Sequence, residues 1–230
     1  MKFTLKILMS AVIGFAVGYL TLEVLYGRSS EGTLETIYFW MSIAMIVISI
    51  VLLVFAFIRR RNLMRMIKTG NHSMSEDDFD IYSYNSFNLL TIATSVSLVL
   101  SLMALAIQSM AAEALWLVIV TVVLFFVSFY MNLKASSLIN VIYPDKDLPE
   151  PGDKKYGQKL FDASDEGELF IMAKGLYSTW NLTTALLFFA IVLMIFYSVI
   201  TSESQIFSII ITGLIMIVSQ LKYSYEIREK

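Results

Sequence analysis

Cysteine is absent from this 230-residue chain and histidine occurs once, at His72. The first absence excludes disulfide frameworks, thiolate catalysis and Cys-based zinc sites. The second leaves little metal or general-base chemistry. Charged residues reach only 16%, against about 25% in an ordinary globular chain, so a soluble surface cannot be covered. Proline occurs three times, at Pro144, Pro149 and Pro151, outside every long apolar run. What fills the chain is apolar: 57% hydrophobic residues and a mean hydropathy of +0.72. The bilayer is therefore the solvent against which the sequence is read.

Crossing roughly 30 Å of hydrocarbon takes about 20 mostly apolar residues in a helix, because lipid offers no partner to a bare backbone group. Six segments meet that requirement: Ile7 to Tyr26, Thr36 to Ile58, Phe87 to Gln108, Ala114 to Leu133, Ser178 to Ile200 and Ser204 to Tyr223. The expected fold is all-α, a single polytopic membrane domain over 1–230 with six transmembrane helices in three hairpins. Lys2 and Lys6 ahead of the first run also fit a signal peptide, but no A-x-A-like site closes it, and Glu23, Tyr26 and Gly27 read as the outer end of a retained helix.

Orientation follows from Lys and Arg near the span ends. With the amino terminus inside, all 17 basic residues except Arg28 fall on the inner side, so both termini are expected in the cytoplasm. The outer side carries Glu23, Glu31, Glu35, Glu113 and Glu203. Trp40, Trp116 and Trp180 fall at span ends, where an amphipathic ring is half buried and half wet. The outer connections are short, and the inner loops, 59–86 and 134–177, are long. Any soluble partner is expected to meet the protein on those two loops.

The starts of the third and fifth spans are alike: Tyr84-Asn85-Ser86-Phe87-Asn88-Leu89-Leu90-Thr91 aligns with Tyr177-Ser178-Thr179-Trp180-Asn181-Leu182-Thr183-Thr184. Each copy follows an acidic stretch, Glu76-Asp77-Asp78 or Asp165-Glu166-x-Glu168. Copies offset by one hairpin make a parallel repeat; two interfacial helix starts under like constraints give the same pattern. Ser75 with Asp78, and Ser164 with Asp165 and Glu166, are placed to cap short juxtamembrane helices. The run from Tyr143 to Asp153 reads as an exposed, turn-rich connector.

Intramembrane proteolysis needs paired Asp, Ser with His, or His and Glu clusters on helices. Apart from Glu23 and Lys222, each close to a span end, the six segments hold no Asp, Glu, Lys, Arg or His, which also argues against a buried proton relay. The chain is accordingly read as no enzyme, without a cofactor or metal. His72 lies in the turn-forming Gly70-Asn71-His72-Ser73 and has no second ligand at useful spacing. Asp145, Asp147, Glu150 and Asp153 resemble a calcium loop, but Glu150 stands where the sharp turn needs glycine.

Three groups of residues remain as candidates. Arg59, Arg60, Arg61, Arg65 and Lys68, directly below the second span, suit attraction to anionic lipid, about 1 kcal/mol per charge. Nucleic acid is a poorer match, because no exposed aromatics are interleaved with the cluster. Glu76, Asp77, Asp78, Asp165, Glu166 and Glu168 are candidate partner-binding acids. Ser10, Gly14 and Gly18 form a small-residue face on the first span, suited to packing within the bundle or to a homodimer. Asn88, Asn132 and Asn181, near inner span ends, either bridge helices or wet the interface.

The glycine-bearing first span, the acidic run Glu76-Asp77-Asp78 leading to Asn88 and a Ser/Thr-rich third span, and a second loop holding Tyr143-Pro144, Gly152-Asp153 and Lys159-Leu160-Phe161-Asp162-x-Ser164-Asp165-Glu166 together resemble the DUF3169 family. That is a family of Gram-positive bacterial membrane proteins of unknown function, and the likeness spans nearly the whole chain. The resemblance implies a bacterial plasma membrane and a gene often near small helix-turn-helix regulators. The expected role is sensing or regulation through a cytoplasmic partner. The rival expectation is a permease subunit of an ABC-type exporter, for which 154–162 is the candidate coupling helix that would dock on an ATPase.

Overall fold

The structure is a computed structural model that describes residues 31–69, 75–111, 115–144, 146, 148–149 and 153–226. Seven helices occur among them: α1 (Glu31–Thr69), α2 (Glu76–Ala111), α3 (Leu115–Ser136), α4 (Ile139–Ile142), α5 (Tyr156–Asp162), α6 (Glu166–Thr201) and α7 (Ile206–Glu226). No strand is present among the described residues. Five helical stretches are long and apolar enough to cross a membrane: Thr36–Lys68, Asp78–Ser109, Leu115–Ile142, Glu166–Thr201 and Ile206–Glu226. They coincide with the second to sixth expected spans. The first span, with Ser10, Gly14 and Gly18, lies outside the described residues, as does His72.

The chain separates into two compact units, one of them 31–165, while Glu166 onwards belongs to the other. In the first unit α1, α2 and α3 pack side by side. Their buried positions recur every third and fourth residue: Ser42, Ile46, Ser49, Leu53, Ala56 and Leu63 on α1; Ser83, Ser86, Leu90, Ala93, Ser97 and Gln108 on α2; Leu117, Thr121, Leu124, Ser128 and Ala135 on α3. That spacing keeps one seam of each helix facing its neighbours. More than half of these buried side chains are Ser, Thr or Ala, which lets backbones approach closely, and many are polar. Val51, Val54, Phe57, Val99, Val123 and Phe126 point outward and are more than half exposed. A soluble core has the reverse arrangement. Apolar outside and hydroxyl-lined inside is the arrangement that suits lipid as the solvent.

In the second unit α6 and α7 pair with each other, and neither contains a fully buried residue. Trp180 stacks on Tyr223 with ring centroids 5.4 Å apart. The turn between the helices holds Ser202 at φ 58°, the left-handed region where glycine is favoured. The hairpins α2–α3 and α6–α7 are alike in build, with long helices of 36 residues each and short ones of 22 and 21.

The juxtamembrane helices do not exist as separate pieces. α1 continues from Ile58 through the Arg cluster to Thr69, α2 runs unbroken from Glu76 through the third span, and α6 runs unbroken from Glu166 through the fifth. Much of loop 59–86 is thus two helical extensions, each roughly 16 Å long at about 1.5 Å per residue. Leu63 and Leu138 are buried together there with Ala56, Leu90, Ala93 and Ala135, and Met64, Ile67 and Tyr82 pack against them. The apolar run of α1 stops at Ile58; the packed seam continues past it along the helix.

Candidate functional site

Polar side chains line the α1–α2–α3 seam because a hydroxyl in hydrocarbon is costly unless it is hydrogen-bonded. Midway along it, the hydroxyls of Ser49 and Ser97 lie 2.7 Å apart, and each is also 3.2 Å from the other residue's carbonyl oxygen. Ser128 on α3 joins them at 3.1 Å from Ser97 Oγ. Towards the Ser42 end, Gln108 Nε2 donates to Ser42 Oγ at 2.5 Å, and Ser42 donates to the Phe39 carbonyl. Towards the Arg59 end, Asn132 Nδ2 donates to Ser95 Oγ at 2.9 Å and to Thr94 Oγ1 at 3.3 Å. Thr121 donates back to its own helix, its hydroxyl 2.9 Å from the Val118 carbonyl and 3.0 Å from that of Leu117. Of the three asparagines in question, Asn132 bridges helices, whereas Asn88 and Asn181 are exposed.

At the end of this seam lies the basic cluster. Arg59, Arg60, Arg61, Arg65 and Lys68 all stand on the last turns of α1. Arg59 Nη2 donates to Ser86 Oγ on α2 at 3.3 Å, and its guanidinium lies 5.8 Å from the centre of the Tyr82 ring, a cation–π distance. Arg60 falls between Ala56 and Leu63, both wholly buried on the seam, while Arg61 is exposed. Neither Arg59 nor Arg60 has a carboxylate partner among the described residues. Buried polar atoms without a hydrogen-bond partner concentrate at this end: Nε of Arg59, Nε of Arg60, Oγ of Ser83 and Oδ1 of Asn140, with Thr91 Oγ1 deeper in the bundle.

The acidic residues open helices. The Ser75 hydroxyl accepts from the Asp78 backbone N–H at 3.2 Å and donates to Asp78 Oδ2 at 2.7 Å. The first bond is the N-cap half of the expected capping box; Asp78 takes the Ser75 hydroxyl proton and not the Ser75 backbone N–H, so the reciprocal half is replaced by a side-chain bond. Glu76 and Asp77 stand in the same first turn of α2. At α6 the expected capping differs: the Ser164 hydroxyl turns back and donates to the Leu160 carbonyl of α5 at 2.7 Å. Glu166 and Glu168 occupy the first turn of α6, where carboxylates complement the positive helix end. Glu166 is exposed, as is Asp165 before it, and Glu168 is half-buried. The acids of α2 and α6 belong to different units. In the second loop α5 forms within 154–162, Tyr156 and Phe161 are exposed, and Lys159 pairs with Asp153 at 2.8 Å. Of the calcium-loop acids only Asp153 is among the described residues, and no group of three or more His, Asp or Glu able to hold a metal occurs among them.

The chain belongs to the DUF3169 family, proteins of unknown function, whose profile it matches over residues 1–227. No curated protein and no solved structure matches it.

Proposed function

We propose that this family member is a non-enzymatic multi-pass protein of a bacterial plasma membrane, with both termini in the cytoplasm, that binds a cytoplasmic protein and acts in sensing or regulation. One observation carries the reading: α1 and α2 continue past their apolar stretches as a paired helical extension, base-rich on α1 and acid-rich on α2. Such an extension is a rigid, charged docking element, whereas a floppy loop would lose conformational entropy on binding. Cysteine-free, histidine-poor sequence supports the non-enzymatic part. α5, with Tyr156 and Phe161 exposed, favours a second reading as the coupling helix of an exporter permease.

The test is to tag the carboxyl terminus, solubilise native membranes in mild detergent and identify by mass spectrometry what co-purifies near stoichiometry. A DNA-binding regulator supports the first reading, and an ATPase replaces it with the second. Replacing Glu76, Asp77, Asp78, Asp165, Glu166 and Glu168 with Gln or Asn should then release the regulator. Retention of the regulator by that variant, at unchanged expression, removes these acids as the docking site.

A further inference from the structure

We infer that Arg59, Arg60, Ser83 and Ser86 form a headgroup site for one anionic phospholipid, set between α1 and α2 where the apolar stretch of α1 ends. The inference needs the chain to span a membrane but does not need any protein partner.

The argument is a balance of donors and acceptors. Arg59 and Arg60 bring two guanidinium charges with no carboxylate partner among the described residues, and each has a buried Nε without an acceptor. Ser83 is 0% exposed and its hydroxyl has no partner. Ser86, one turn further along the same face of α2 and also 0% exposed, accepts from Arg59 at 3.3 Å and keeps its own proton to donate. Asn140 Oδ1 is also without a partner at this end, one neutral acceptor beside two guanidinium Nε–H donors and the Ser83 hydroxyl, which can donate or accept. Buried donors left without acceptors are costly, and here two of them belong to half-buried guanidinium groups. The chemistry that completes the set is an anion with several oxygens, for which Arg is the preferred donor.

Position selects the source of that anion. Phe55, Phe57 and Ile58 immediately precede Arg59, and Leu89 follows Ser86, all exposed apolar side chains. A phosphodiester at the two arginines would thus have its acyl chains against apolar surface one helical turn away. Free phosphate gains nothing from that surface. Arg61, Arg65 and Lys68 lie further out on α1 and add only the diffuse attraction that any basic juxtamembrane segment has for anionic lipid.

The difference between a built site and diffuse attraction is measurable. Full-length protein in detergent is titrated with phosphatidylglycerol, or with zwitterionic phosphatidylethanolamine, and the bound lipids are counted by native mass spectrometry. One phosphatidylglycerol should bind well above the rest, and phosphatidylethanolamine should not replace it. Arg59→Gln and Arg60→Gln should each weaken that first binding about tenfold, the loss of a charge-assisted hydrogen bond. Arg61→Gln removes the same charge from the exposed side of α1 and should change it less than about twofold. Ser83→Ala, which leaves packing intact, should weaken it about fivefold, and decides the matter if an arginine variant fails to fold. Equal losses for Arg59→Gln and Arg61→Gln, or an unchanged first binding in Ser83→Ala, overturn the site. Displacement of the lipid by millimolar inorganic phosphate overturns the lipid as its occupant.

Discussion

Ser97 sits within hydrogen-bond distance of Ser49 Oγ, the Ser49 carbonyl and Ser128 Oγ, and is fully buried where three helices meet. In lipid the apolar driving force between helices is weak, so close packing and such bonds hold the bundle together. Ser97→Ala should cost about 0.6 to 1.7 kcal/mol, the range measured for interhelical bonds in membranes. Ser97→Leu should cost about 1 to 3 kcal/mol, because added volume forces α1 and α3 apart. Reversible unfolding in mixed micelles reads both. Were Ser97→Leu as stable as the wild type, the tight seam would be refuted, since leucine is the more lipid-compatible side chain and only packing disfavours it. The sequence displays Ser95, Ser97 and Ser101 in one Ser/Thr-rich span but does not say which of them turns inward; that depends on the phase of α2 against two neighbours, which no local pattern encodes.

Elements, by contrast, were legible in their existence and misread at their ends. Ile58 and Phe87 are where the apolar runs of the sequence stop, yet α1 and α2 continue well past them. The reason lies in Leu63, Met64 and Ile67, which carry the α1 seam beyond the Arg cluster, and in Ser75, which caps α2. Arginine, lysine and methionine are also good helix formers. Outside lipid, burial of Leu63 is driven by water, so Leu63→Ala should destabilise by about 2 to 5 kcal/mol. Phe57→Ala, an outward-facing residue 55% exposed, should cost under about 1 kcal/mol, because its ring meets lipid in folded and unfolded states alike. Unfolding midpoints of the two variants in one detergent check the contrast. Equal losses would mean that the seam stops at the membrane boundary and the extension is held only by propensity. The candidate site was half legible for a related reason: the basic residues stand out by charge alone, whereas the unsatisfied hydroxyl of Ser83 appears only once α1 and α2 are in register.

At the scale of the whole molecule, topology rests on one countable quantity. Among the described residues five helices, α1, α2, α3, α6 and α7, are long and apolar enough to cross a membrane, an odd number of crossings if each one spans. If the segment Ile7 to Tyr26 also crosses, both termini lie on the side of Arg59; if it does not, the amino terminus lies opposite. The distribution of Lys and Arg argues for the former, because positive residues are retained in the cytoplasm. The chain has no cysteine, so every introduced cysteine reports alone. Ser202→Cys, in the turn between α6 and α7, should be labelled by a membrane-impermeant maleimide on intact cells. Lys154→Cys, Lys2→Cys and Lys230→Cys should be labelled only after permeabilisation. Labelling of Lys2→Cys on intact cells, with Ser202→Cys also labelled and Lys154→Cys protected, would reduce the protein to five crossings and place its amino terminus outside. It would also set Lys2 and Lys6 against the charge rule from which the six-span arrangement is expected.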